Sequence, residues 1–401
     1  MRTWVVAASA LAALAVTASP AAAPTSSPLL GIVLDGGQGH LARLDPDTLR
    51  SLRRSSFLTN GYAVAPALSP DGSTVALGST SFIGLRLVDV TSLKAIAEVR
   101  LRLSGAHVAA SSWPSPTRIV VAAVHANPAS VIFVNIDPKT AKVVRTHTVR
   151  GTAIDAARTG DGLAVLLAPA AGIGPARLAV ASADRLRMWP LPIRAGRRWP
   201  VAQSRYPVGT QTIPALAVDA SRGRGYVLDP SDRVAAVDLA TGKTLLHVLA
   251  KRTLAKGLNG PERSARWLGD GSIALTGSNE HVNVTGGRID VGADPAGLEL
   301  VDVRDWTTRA VDRDASNVAV GAGVLFALAP SGTAPLRAYD FTGHLRFELD
   351  DVASGEWVQV AGERAYVGRR VLELPSGRVL GQTAAEPRVI VLPTDGSQFP
   401  L

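Results

Sequence analysis

The sequence predicts an all-β chain in which short four-stranded units repeat and close into a ring. Three observations carry this expectation. A phrase recurs: an apolar residue, an acid, a Thr or Ser three places on, and a Lys or Arg two places later. It reads Leu44-Asp45…Thr48…Arg50, Val88-Asp89…Ser92…Lys94, Ile136-Asp137…Thr140…Lys142, Val237-Asp238…Thr241-Gly242-Lys243 and Leu372-Glu373…Ser376-Gly377-Arg378. Around it, short runs alternate apolar and polar residues between Pro, Gly and Asp turns, the period-two signature of half-buried strands. The units recur about every 45 residues, the spacing of four-stranded propeller blades. A single β-propeller is therefore expected.

The elements follow in order. Residues 1–23 read as a signal peptide: Arg2 supplies the charge, and Trp4 to Val16 is apolar apart from Ser9. Small residues offer cleavage at Ala18, Ala21 or Ala23, and Pro24 disfavours a cut directly before it. Residues 24–28 form a disordered leader, and 29–401 the propeller. The chain is expected to be exported, to the periplasm or outside the cell.

The first unit, Leu29 to Phe57, has three strands and starts at what should be a second strand. In the second, Tyr62 to Leu68 is a strand, Ser69-Pro70-Asp71-Gly72 a turn, and Thr74 to Gly78, Leu85 to Val90 and Lys94 to Leu101 complete the four. Further units cover His107 to Val149, Thr152 to Ile193, Thr212 to Ala250, Arg263 to Val311, Asn317 to Leu349 and Glu356 to Gln382. The fourth unit has Ser182 in place of the acid, and the seventh a shortened Asp340…Gly343. Each phrase falls at the turn between third and fourth strands. There the acid and hydroxyl can bond to turn amides and the base can sit across from the acid, so these charges have a structural task. The final Arg388-Val389-Ile390-Val391-Leu392 is a first strand with nothing after its turn. It is expected to complete the N-terminal blade and close the ring. This gives eight blades, with seven as the alternative because the last unit is short.

The phrases Leu68-Ser69-Pro70-Asp71-Gly72 and Ala236-Val237-Asp238-Leu239-Ala240-Thr241-Gly242-Lys243 resemble those of YVTN-type and quinoprotein-like β-propellers. The resemblance covers nearly the whole mature chain and implies the propeller fold; such superfamilies mix enzymes, surface proteins and scaffolds. The tryptophans (Trp113, Trp189, Trp199, Trp267, Trp306, Trp357) do not recur in phase as they do in the docking repeats of quinoprotein dehydrogenases, and no cofactor is expected.

Composition narrows the function. The 401 residues carry 42 Lys and Arg against 33 Asp and Glu, a formal charge of +9 that favours anionic partners. Arg outnumbers Lys and Ala is abundant, biases of composition rather than of a nucleic-acid groove, and no nucleic-acid partner is expected. No apolar run beyond the leader is long enough to span a bilayer. The absence of cysteine excludes disulfides, thiol catalysis, Cys-ligated zinc and lipid anchoring through an N-terminal Cys.

Two long loops gather basic and aromatic residues. Arg194 to Gln211 holds Arg194, Arg197, Arg198, Trp199, Arg205 and Tyr206; Lys251 to Arg263 holds Lys251, Arg252, Lys256 and Arg263. A third insertion, Gly277 to Pro295, adds Asn279, Glu280, His281 and Arg288. Arginine forks and flat rings suit an anionic polymer or glycan. His40, His125 and His281 fall in loops of one class but come from separated blades, so no metal is expected. Along the channel the titratable candidates are His107, Asp155, Glu356 and Arg388, with Asp155 and His107 as the acid–base pair to test. Asn283-Val284-Thr285 fits a glycosylation sequon. The expected function is a non-catalytic binding or interaction module, monomeric, with an anionic polymer or a protein as partner. A lactonase, lyase or dehydrogenase acting at the channel mouth and a structural envelope scaffold are the alternatives.

Overall fold

The computed structural model describes residues 29–35, 38–59, 66–79, 83–198, 210–249, 260–285, 288–329, 335–350, 352, 358–383 and 388–392. The expected signal peptide and leader lie outside them. Among the described residues the strands form eight antiparallel sheets. Their innermost strands are Arg388–Val391 (blade one), Ala67–Leu68 (two), Ala106–Ser115 (three), Thr152–Thr159 (four), Ala215–Asp219 (five), Pro261–Gly269 (six), Asn317–Gly321 (seven) and Val358–Ala361 (eight).

Packing settles the blade number. The buried apolar residues divide into eight clusters, and each joins the facing sheets of two neighbouring blades. One cluster unites Leu30, Ile32 and Leu41 of blade one with Val75, Leu77 and Val88 of blade two. Another unites Val33, Ala42 and Leu44 with Tyr366 and Val371 of blade eight. The chain is an eight-bladed β-propeller. The closure is the expected one: Arg388–Val391 pairs antiparallel with Leu30–Asp35, Ile32 opposite Ile390. Both ends of the ring are thereby held by ladder hydrogen bonds as well as by burial.

The recurring phrase builds one turn many times. Asp238 Oδ1 accepts hydrogen bonds from Ala240 N (3.0 Å), Thr241 N (2.8 Å) and Thr241 Oγ1 (2.8 Å), while Thr241 Oγ1 accepts from Lys243 N. Asp45 does the same with Asp47 and Thr48. These bonds hold the Asp238 carboxyl below the usual carboxylate range, the Thr241 hydroxyl foremost. The expected pairing of base with acid is formed at the last repeat, where Arg378 forks onto Glu373 at 2.8 and 3.0 Å and holds its carboxyl at about 2.

The residue between hydroxyl and base is left-handed in each phrase, Leu49 (φ 54), Leu93 (54), Ala141 (53), Gly242 (76) and Gly377 (73); Trp306 (61), four residues after Asp302, and Gly343 (80) in the shortened turn are left-handed too. That geometry aims its side chain into the seam with the preceding blade. Leu93 and Leu49 fill their seams themselves. Where the residue is glycine, the preceding blade supplies the filling. A Cβ on Gly242 would lie 2.0 Å from the Trp189 indole nitrogen, and one on Gly377 would lie 2.4 Å from Phe347.

Two segments expected as loops are strands. The fourth strand of blade four runs Leu186–Arg198, and Thr210–Thr212 returns against its end as a fifth strand, Gly196 opposite Thr212. Proline and charge are tolerated there because an edge strand has one solvated side. In blade six the insertion is a hairpin: Ser272–Thr285 pairs with Arg288–Pro295, His281 opposite Gly292. His40 likewise lies within a strand, Gln38–Leu44.

Candidate functional site

Consecutive turns of an antiparallel sheet alternate between its two ends. Connections between blades and between second and third strands therefore share the face where the innermost strands begin, the upper face. Ile213 and Glu262, just before or within the starts of blades five and six, form a parallel bridge there. The departures from the four-strand plan leave this same face over blades four to six. They are the extended edge of blade four and the hairpin of blade six, and they flank the connections 199–209 and 250–259, which lie outside the described residues.

Between these features lies a pocket of about 300 Å³, lined by Arg194, Thr212, Asp229, Ser231, Arg233 and Pro261 among others. Its floor is a preorganised turn. Asp229, 5% exposed, accepts from Ser231 N and Oγ, both at 2.7 Å, and from Arg233 Nη2 at 2.8 Å. Arg233 is thus held in place by its own acid. Arg194 is exposed on the edge of blade four; its guanidinium makes one long bond to Ile173 O (3.4 Å) and has no acidic partner among the described residues. Arg197, two residues on, is exposed as well.

The remaining sequence candidates divide. Arg263 is buried, 4% exposed, and its guanidinium donates to Glu262 O, Ser278 O and Asn279 Oδ1. It ties the base of the blade-six hairpin rather than presenting a cation, a correction to its expected role. The side chain of Arg198 and residues Trp199, Arg205, Tyr206, Lys251, Arg252, Lys256 and Glu356 lie outside the described residues, as does the side chain of Arg388. Sequence reasoning missed Asp229, Ser231 and Arg233. The available signal was their spacing, an acid whose hydroxyl and base partners follow two and four residues later, a variant of the recurring phrase at a different turn.

The channel wall holds the second candidate. Asp155 is part-buried; its Oδ1 accepts from Ala156 N (2.8 Å) and its Oδ2 from Leu216 N of blade five (3.0 Å). Burial raises its carboxyl to about 6, against the pull of Arg266 from blade six and of those two N–H donors. Arg158, three residues on, reaches back to Ser111 O of blade three and Pro66 O of blade two. Gln359 of blade eight donates to Val389 O of blade one at 3.1 Å. These side chains stitch inner edges whose backbone groups have no neighbouring strand. The expected pair is not formed: His107 is exposed, and the groups that set the Asp155 carboxyl are Arg266, Leu216 and Ala156. Among the described residues no cluster of acids and histidines fit to hold a metal occurs.

The ring and its one-sided elaboration define a β-propeller with a built-up upper face. No family model matches the chain, and no curated protein matches it. Among solved structures it is similar to dihydro-heme d1 dehydrogenase NirN in complex with DHE, at 16% identity and a TM-score of 0.51 over 94% of this chain and 78% of that one. It is also similar to BamB from Moraxella catarrhalis (13% identity, TM-score 0.42, 90% and 95% covered). A third is the β-propeller domain of Cps50 (Swd1) from Myceliophteria thermophila (13%, 0.44, 83% and 98%). At such identities the likeness is one of fold.

Proposed function

We propose that this chain is an exported, non-catalytic binding propeller that takes an anionic glycan or envelope polymer on its upper face, over blades four to six. The observation that carries the reading is the convergence there of every extension beyond the four-strand plan seen among the described residues. They surround a pocket in which Arg194 stands exposed beside a braced Arg233. Loops and extensions on a rigid scaffold are where binding residues concentrate, and an arginine fork matches a carboxylate, sulfate or phosphate oxygen pair. The sequence of the two adjoining connections supplies Arg198, Arg205, Lys251, Arg252 and Lys256 beside Trp199 and Tyr206.

The test is an array of anionic glycans and envelope polymers probed with the purified mature chain at low and moderate salt. The expected result is a selective hit whose affinity falls with salt. It should fall at least about tenfold in a variant combining Arg194→Gln and Arg197→Gln, a loss of about 1.4 kcal/mol. Neutralising Arg198, Lys251 and Arg252 should deepen the loss. Silence across the array, or retention that ignores these substitutions, contradicts the reading.

A further inference from the structure

The seam between blades five and six is built unlike its neighbours. At three other seams an arginine on the fourth strand, paired with the residue two before Asp137, Ser182 or Asp302 at the lower turn, closes the outer edge. Arg145 pairs with Asn135, Arg187 with Val180 and Arg309 with Leu300. Each donates to a carbonyl in the next blade's lower turn: Asp184, Ala240 and Thr342. In blade five the equivalent residue, opposite Ala236, is Leu245. A leucine has no donor to offer the turn of blade six.

The left-handed position of that turn, leucine in blades one and two, is aromatic here. It holds Trp306 (φ 61), where a bulky residue is disfavoured by about 1–2 kcal/mol. Its indole stacks on His247 at 4.0 Å and tilts against Tyr226 at 6.1 Å, and Tyr226 in turn stacks on Trp267 at 5.5 Å. With the stitch absent and the aromatic ring standing in the seam, a cleft of about 780 Å³ remains open beside them. This is the size range of small-molecule sites.

The chemistry of the cleft is uneven. Its walls are the rings of Tyr226, His247 and Trp306 together with Leu245 and Val303, and four cations line it, Arg222, Arg224, Lys243 and Arg304, against the single carboxylate of Asp238. That carboxylate is committed to the amides and hydroxyl of its own turn. Arg304 is forked onto Asp302. Arg222 lies 3.9 Å from Asp219 with its side chain largely exposed, and Lys243 has no ion-pair partner among the described residues.

We propose that this cleft is a second binding site, separate from the upper face, for a small organic anion with a flat apolar body and a sulfonate, carboxylate or phosphate head. The body lies between Leu245, Val303 and the edge of Trp306, and the head is met by Arg222 and Lys243. An isolated inorganic anion gains only the exposed cations, and a neutral ring gains only the wall; both together are needed.

The experiment is calorimetric titration with 2-naphthalenesulfonate, using 2-naphthalenemethanol and inorganic sulfate as controls. The proposal expects binding of the sulfonate that exceeds both controls at least about tenfold. A double Arg222→Gln, Lys243→Gln variant should weaken it by a similar factor with an unchanged melting curve. Leu245→Arg should abolish it by restoring the stitch across the seam. That variant adds a positive charge, so general attraction of anions would strengthen binding instead. Arg194→Gln should have no effect, which keeps this site distinct from the upper face. The proposal is overturned if the sulfonate fails to bind, if the alcohol binds equally, or if the Leu245→Arg protein binds as tightly as the parent.

Discussion

At the scale of single residues, Asp155 shows what a sequence can and cannot reveal. An acid near the start of an inner strand is legible, because the channel is the place where a titratable group is unusual. Its partners are not: Leu216 lies 61 residues on, and Arg266 belongs to the blade beyond that. No local pattern encodes such a meeting. Arg263 is the converse case: it ends a stretch that holds Lys251, Arg252 and Lys256, but its burial and its three acceptors come from the hairpin base, which no local pattern encodes. A prediction follows for Asp155, whose folded pKa of about 6 lies above the ordinary 3.8. Between these values the folded chain holds the proton longer than the unfolded chain does. The site's contribution to stability therefore falls as pH rises through that window and levels off above it. Replacing it by Asn, which cannot ionise, removes this slope. The melting temperature of the parent minus that of Asp155→Asn should decrease between pH 4 and pH 6.5, and a constant difference would contradict the assignment.

At the scale of the element, the turn between third and fourth strands was legible because it is local. Acid, hydroxyl, left-handed residue and base fall within six residues, and their hydrogen bonds stay inside that span. What fills the seam was hidden, because Trp189 and Gly242 meet across two blades. Two glycines of this kind give a paired prediction. Gly72 and Gly242 have nearly equal φ, 71 and 76, but a Cβ on Gly72 meets nothing within 4 Å whereas one on Gly242 meets the indole at 2.0 Å. Gly72→Ala should cost about 1 kcal/mol, the conformational term alone. Gly242→Ala should cost a further 1–3 kcal/mol, roughly the range for overpacking, and Trp189→Leu should recover part of it. Chemical denaturation of the four proteins checks this; equal losses at the two glycines would show that the indole yields freely.

At the scale of the whole molecule, the ring, its closure and its number of blades were written in the repeat, while the upper face was only half legible. Its charge and its length were visible, but two of its segments read as loops and are strands. Arg194 to Arg198 looked irregular through its arginines and its glycine, yet Gly196 and Arg197 are paired on both sides, with Gly172–Ser182 and with Thr210–Thr212. The alternation His281-Val282-Asn283-Val284 against Arg288-Ile289-Asp290-Val291 carries a hairpin pattern, weakened by the charged and polar residues that share it. These extensions matter because the remaining blades are near-equivalent, and a symmetric scaffold gains a preferred face only where the repeat is broken. The central claim, that the broken part is the binding face, is tested most directly by amide hydrogen exchange of the purified chain with and without the anionic polymer that it retains best. Protection is predicted in the upper ends of Gly172–Ser182 and Leu186–Arg198, in Thr210–Thr212 and in the turn from Asp229 to Arg233, with the lower turns unchanged. Protection confined to the lower turns, or spread evenly around the eight blades, would contradict it.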